Sequence, residues 1–248
     1  MSYFKTTVKC CNGMTFITKY SGADKVNGKR AKKSQPTSEQ KQRYNIRKTI
    51  ERLFYTLLCN FFPGDFNIVL TYPKDDRRTV SEAKKTVGEF LKLYRKYCRE
   101  RGYCPDYIYN TEIGEKGALH HHIILHNHKV YEELDEIEAL WRKAGGGSIQ
   151  YKQNSRLWEN YDWKGLAAYY VDRTKGGKLP DTHVPGERRY IPSKGLKKPE
   201  VTHERIDAEK WYSPKAPKGY ELIPDSVYSG KHELTGGNFI KYGMRRLI

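Results

Sequence analysis

Gly117-Ala118-Leu119-His120-His121-His122-Ile123-Ile124-Leu125 is the stretch on which the fold turns. Two histidines at i, i+2 run into a β-branched apolar segment, which is the composition of a strand. Strand side chains alternate, so His120 and His122 project from one face, about 6–7 Å apart along the strand, and His121 from the other. Neutral imidazoles side by side can grip one divalent cation. Upstream, Tyr107 to Ile113 has the same strand character, and Gly114-Glu115-Lys116-Gly117 reads as the turn of a hairpin. Glu112, on the partner strand, is an oxygen ligand of the kind a hard cation wants. Its face depends on loop length, since a one-residue slip in register inverts it. His126 and His128 would share the face of His120 and His122 if the strand ran on, but Asn127 favours a turn.

Outward from this hairpin, the chain alternates strand and helix patterns. Residues 1–20 read as a strand pair around Cys11-Asn12-Gly13, and residues 21–36 as a solvated basic arm. Thr37 or Ser38 caps a helix to about Asn60, with Ile46, Ile50, Leu53, Leu57 and Leu58 at helical spacing. Its other faces carry Lys41, Arg43, Arg47, Lys48 and Arg52. Such a run is ordinarily a solvated face, and Arg43 and Arg47 are its candidate DNA contacts. Phe66 to Tyr72 reads as a buried strand, Val80 to Arg101 as a long helix and Tyr131 to Lys143 as another, ending at Gly145-Gly146-Gly147. Ser148 to Lys152 reads as a strand, Trp163 to Arg173 as a helix, residues 176–235 as loop-rich and 236–248 as a small tail.

A β-α-β-α-β-β-α-β-α succession predicts an α+β fold. Its largely antiparallel sheet would carry the histidine motif on a central strand, with helices packed on it. The predicted organisation is an N-terminal hairpin and linker over 1–36, a main domain over 37–200, and a basic, loop-rich extension over 201–248.

Composition narrows the partner. Lysine and arginine number 46 against 29 acids over 248 residues, a formal charge of +17. That excess favours a polyanion, by counterion release from a phosphate backbone. The 20 tyrosines supply rings on which single-stranded bases can stack. The 5 cysteines lack CxxC spacing and are odd in number, against a disulfide framework or a structural zinc finger. No apolar signal region leads the chain, and the longest apolar-rich stretch, Leu53 to Phe62, is too short to span a bilayer. A cytoplasmic protein with no membrane partner is the expectation.

The second chemical element is Leu166-Ala167-Ala168-Tyr169-Tyr170-Val171-Asp172-Arg173-Thr174-Lys175. Small residues before the tyrosines let a helix pack closely on a sheet and leave one phenol free. Tyr169 and Arg173 are i, i+4 neighbours, and Tyr170 and Arg173 are i, i+3. A phenol with a pKa of about 10 needs help to attack, from a cation or a nearby base. Arg173 or Lys175 would stabilise phenolate and hold a phosphate oxygen, with Lys164 as a backbone contact. Two helical tyrosines are by themselves ordinary packing residues, and they gain weight only beside the histidine pair.

The apolar strand Phe66–Tyr72, the histidine strand His120–Leu125 and the tyrosine helix Leu166–Lys175, in that order, resemble the three motifs of HUH endonucleases. The closer resemblance is to rolling-circle replication initiators of plasmids, single-stranded-DNA phages and mobile elements. Thr111 to His120 is similar to the approach to the histidine motif in bacterial initiators, and Tyr190 to Pro199 to the segment after their tyrosine helix. Together the resemblance covers roughly residues 40–200.

It implies metal-dependent, sequence-specific nicking of single-stranded DNA. His120 and His122 would hold Mg²⁺ or Mn²⁺, a tyrosine would form a 5′-phosphotyrosine, and the freed 3′-hydroxyl would prime synthesis. Two departures stand out. The middle residue of the motif, usually apolar, is His121. Many members place a lysine three residues after the tyrosine, where Asp172 follows Tyr169 and Arg173 follows Tyr170. Tyr169 aligns better behind Ala167-Ala168 and is the preferred nucleophile. No GxxxxGK[ST] pattern is present, so a host helicase and polymerase would complete replication from the origin DNA.

Two other readings remain open at this level. A zinc hydrolase would use His120, His122 and a third histidine such as His126 or His128 to activate water. A non-catalytic nucleic-acid-binding protein would leave the histidines incidental and bind with steep salt dependence.

Overall fold

The computed structural model describes residues 2–22, 38–114, 116–128, 132–151, 162–172, 174, 182–184, 186–211 and 214–247. In chain order the first elements are β1 (Ser2–Lys9), β2 (Thr15–Gly22), α1 (Glu39–Asn60), β3 (Phe66–Leu70), α2 (Val80–Arg101), β4 (Tyr107–Ile113) and β5 (Leu119–Leu125). There follow α3 (Glu132–Lys143), β6 (Ile149–Gln150), α4 (Trp163–Val171), β7 (Ile191–Pro192), β8 (Glu200–Ile206), β9 (Tyr220–Leu222), β10 (Tyr228–Lys231) and β11 (Asn238–Arg246). By its contacts the chain divides into two compact units, Asn60–Leu196 and Met1–Cys59 with Lys197–Ile248.

The Asn60–Leu196 unit is built on a five-stranded sheet in the order β6-β3-β5-β4-β7, with every pair antiparallel. The histidine strand β5 is the middle one. Phe66, Ile68 and Leu70 of β3, Tyr107 and Tyr109 of β4, and Ile123 and Leu125 of β5 share one face, as period-two alternation requires. They are buried against Val87, Phe90, Leu91 and Tyr94 of α2 and Ile137 and Trp141 of α3. Trp141, fully buried, donates its indole N–H to the Thr71 carbonyl at 2.8 Å. α2 begins in a capping box, Thr79 and Glu82 each accepting from the other's backbone N–H, and ends at Gly102 in the left-handed region. The opposite face of the sheet receives α4. The mixed α+β fold with an antiparallel sheet and a central histidine strand is therefore the observed one.

The other unit is a six-stranded sheet that runs β10-β11-β2-β1-β8, with β9 also paired to β11. The N-terminal hairpin is its middle, flanked by β8 on β1 and β11 on β2. Ile17, Tyr242 and Met244 form its small core. α1, capped by the Ser38 hydroxyl accepting from Lys41 N–H, buries Leu53, Leu57 and Leu58. Phe16 of β2 packs on its Phe54 and Tyr55.

This departs from the sequence expectation in two ways. The 176–235 segment read as loop-rich carries β8, β9 and β10, and the 236–248 tail carries β11, a strand of 9 residues. β8 escaped because Glu-Val-Thr-His-Glu-Arg-Ile lies exposed at an edge and has no apolar alternation to read. Residues 1–36 and 201–248 accordingly do not stand as separate regions: their strands pair in one sheet, and most of α1 clusters with them rather than with the histidine sheet. All five cysteines are free. No helix among the described residues is long and apolar enough to cross a membrane.

Candidate active site

The β4–β5 hairpin decides which side chains meet. Its turn closes by Gly114 N–H donating to the Ala118 carbonyl and Gly117 N–H to the Gly114 carbonyl, both at 2.8 Å. Gly117 sits at φ +74°, a conformation costly for any residue with a Cβ. The resulting register places Glu112 opposite His120 and Asn110 opposite His122. Directly opposed residues in an antiparallel pair share a face, so Glu112, the residue whose face the sequence left open, lies with the two histidines.

Glu112 Oε2 stands 3.2 Å from both His120 Nε2 and His122 Nε2. The side chains of Glu112 and His122 are each 9% exposed and that of His120 21%, so the set is reached from one side. Burial pulls the His120 pKa below its ordinary value, against a hydrogen bond from the Ala118 backbone that favours the charged form. An imidazole kept neutral in this way retains the lone pair a cation needs. The three ligand atoms all lie within 4.8 Å of one another. One carboxylate with two imidazoles is a donor set suited to a divalent first-row ion such as Mn²⁺.

His121 points away and does something else. Fully buried, it lies between the Tyr72 hydroxyl at 2.8 Å from Nε2 and the Thr111 hydroxyl at 2.9 Å from Nδ1. Tyr72 also donates to the Ala83 carbonyl, which leaves its oxygen to accept from Nε2–H and Nδ1 to accept from Thr111. Burial, reinforced by the neighbouring His120 and His122, pushes its pKa down to about 3. It is a neutral core histidine that fixes the back of the site.

α4 supplies the phenols. Asp162 caps it, its carboxylate accepting from Gly165 N–H at 2.7 Å. A Cβ on Gly165 would come within 2.1 Å of that carboxylate, so glycine is needed there to keep the cap. The two tyrosines, adjacent in sequence, face different ways. Tyr169 is 42% exposed, and its hydroxyl lies 3.1 Å from His122 Nε2. Tyr170 is buried, donates its hydroxyl to Asn67 Oδ1 at 2.9 Å, and receives Asn110 Nδ2 at its carbonyl. Arg189 donates to the carbonyl of Val171 at the helix end.

The remaining predicted residues are spread more widely. Lys164 lies exposed in the first turn of α4. Arg173 and Lys175 fall outside the described residues, and Asp172 caps α4 and accepts from the Thr174 backbone and hydroxyl. Arg43 and Arg47 belong to α1 in the other unit, where Arg47 forms an ion pair with Glu233 at 2.6 Å. His126 and His128 leave the strand face at Asn127 and bind Asp65 and Glu133 instead. The third donor beside His120 and His122 is therefore Glu112 and not a third histidine.

Asn67 and Asn110, which seat Tyr170, were not singled out from sequence. Both follow from period two, since Asn67 shares a strand face with Val69 and Asn110 with Glu112. His183 also went unread. Its backbone bridges to Glu112, a pairing no local pattern announces.

Fold and site together define an α+β protein with a candidate divalent-cation site on a central strand and a tyrosine helix laid across it. A family model of replication-associated proteins, of the ORF2 type, matches residues 65–171, from the residue before β3 to the end of α4. That span holds the whole Glu112, His120, His122 and Tyr169 constellation, and the match supports a replication-initiator family. Comparisons with curated proteins and with solved structures find no match.

Proposed function

We propose that this chain nicks and rejoins single-stranded DNA through a covalent 5′-phosphotyrosine on Tyr169, starting rolling-circle replication. The observation that carries the reading is the Tyr169 hydroxyl 3.1 Å from His122 Nε2, which itself faces Glu112 Oε2. A phenol at the rim of a cation site, half open to solvent, is where a strand could be presented to it.

Glu112, His120 and His122 would hold Mg²⁺ or Mn²⁺, and the bound ion supplies Lewis acidity at the scissile phosphate. The chain's own residues do the rest. Tyr169 attacks phosphorus, an O–P bond forms at the phenol oxygen, and the phenolic proton is lost to solvent. The bond from phosphorus to the 3′-oxygen breaks, and that oxygen takes up a proton, leaving a primer end. Attack by a 3′-hydroxyl on the phosphotyrosine reverses the step and seals the strand. Lys164, Arg173 and Lys175 flank the nucleophile as cations for neighbouring phosphates, with Arg43 and Arg47 as further backbone contacts. A host helicase and polymerase would act on the nicked origin.

The test is an adduct assay on oligonucleotides recovered by binding from a random single-stranded pool, with Mn²⁺ or Mg²⁺, on a denaturing gel. Wild type gives a protein–DNA band that a chelator, His120→Ala/His122→Ala or Glu112→Ala removes. Metal-dependent cleavage without any adduct, surviving Tyr169→Phe and Tyr170→Phe, would replace this reading with hydrolysis by metal-activated water.

A further inference from the structure

A second cluster of metal donors occupies the other end of the same hairpin. Cys104 Sγ, a carboxylate oxygen of Asp106 and a ring nitrogen of His126 all lie within 4.8 Å of one another. Asp106 ends the connection from α2 into β4, and His126 follows directly on β5, so the two flank the first pair of the β4–β5 ladder, Tyr107 and Leu125. Glu112 lies six residues along β4 from Asp106, which is about 20 Å at strand rise. The two donor sets are separate.

The surroundings are those of a ligand set. Asp65 Oδ2 lies 3.1 Å from His126 Nδ1, and the same carboxylate accepts from the backbone of Phe62 and Asn127. Histidines that bind metals almost always give their second ring N–H to such a carboxylate, which fixes the tautomer and leaves the other nitrogen to the ion. Asp106 is fixed as well, by the Ser193 hydroxyl at 2.7 Å, while its other oxygen receives the Cys104 thiol at 3.4 Å. At the same corner His128 stacks on Tyr103 with centroids 4.4 Å apart, and its Nδ1 lies 3.0 Å from Glu133. His128 Nε2 is buried and meets no hydrogen-bond partner among the described residues.

We propose that Cys104, Asp106 and His126 form a second metal site, for zinc, that clamps the entry of β4 to the exit of β5. Sulfur, nitrogen and oxygen donors together select a borderline ion such as Zn²⁺ over Mg²⁺, which takes oxygen ligands. The clamp holds the pair of strands that carries Glu112, His120 and His122 from the end remote from them.

Cobalt(II) distinguishes the two sites, because only a thiolate ligand gives a near-ultraviolet sulfur-to-cobalt charge-transfer band. The full-length chain is titrated with Co²⁺ as wild type, as His120→Ala/His122→Ala and as Cys104→Ser, a change at an exposed position that leaves the core intact. The band is expected in wild type and in the histidine variant, where it saturates at one equivalent and is displaced by Zn²⁺. It disappears in Cys104→Ser. Asp65→Asn is expected to weaken Zn²⁺ binding in the histidine variant by about 10–100-fold. No band, or a band that survives Cys104→Ser, overturns the proposal. Neither result bears on nicking, which the adduct assay reads separately.

Discussion

Tyr169 and Tyr170 are chemically identical neighbours, and the structure gives them opposite employment. Removing the buried Tyr170 hydroxyl leaves Asn67 Oδ1 short of a donor, so Tyr170→Phe is expected to lower unfolding free energy by about 1–3 kcal/mol, measured by urea denaturation. Tyr169→Phe, at a half-exposed position, is expected to leave stability near wild type while abolishing adduct formation. His121 adds a pH dependence of known sign. Its folded pKa of about 3 lies below the 6.5 of an ordinary imidazole, so the unfolded chain takes up this proton first. Its contribution to stability is complete above about pH 6.5 and is lost as the pH falls toward 3. Denaturation midpoints across that window should show a shallower pH slope for His121→Leu than for wild type. At this scale the sequence named the two histidines and the pair of phenols. It could not rank the phenols, because adjacent helical residues differ by about 100° and only the sheet says which direction is inward.

At the scale of elements, the hairpin turn sets the chemistry. Two-residue alternation put His120 and His122 on one face from sequence alone, but Glu112 joined them only through the loop geometry that Gly117 permits. A β-branched residue there must adopt φ near +74° or change the turn. Gly117→Val is therefore expected to cost about 1–2 kcal/mol. It should also weaken Mn²⁺ binding, read by calorimetry, since a slipped register turns Glu112 to the opposite face. A variant that keeps wild-type Mn²⁺ affinity despite the strain would show that register is held elsewhere in the sheet. The helices were legible from their 3.6-residue periodicity and caps. The terminal strands were not, because β8 and β10 are exposed along their whole length and carry no buried alternation.

Across the whole molecule, the two ends of the chain close one sheet. β11 lies between β2 and β10, and it contributes Tyr242 and Met244 to that unit's core. Such pairing between residues more than 200 positions apart leaves no trace in local sequence, which is why the segments around it read as tail and loop. Removing residues 238–248 would bare the edge of β2 and delete that core. The truncated chain is expected to melt earlier and to aggregate, monitored by thermal scanning with light scattering. A truncation with unchanged melting would mean that β2 needs no partner on that side.

The most direct test of the central claim is to digest the protein–DNA adduct and locate the nucleotide by mass spectrometry. The account predicts a nucleotide mass on Tyr169, in a peptide with unmodified Tyr170. A nucleotide on Tyr170, or on any residue outside α4, would contradict it.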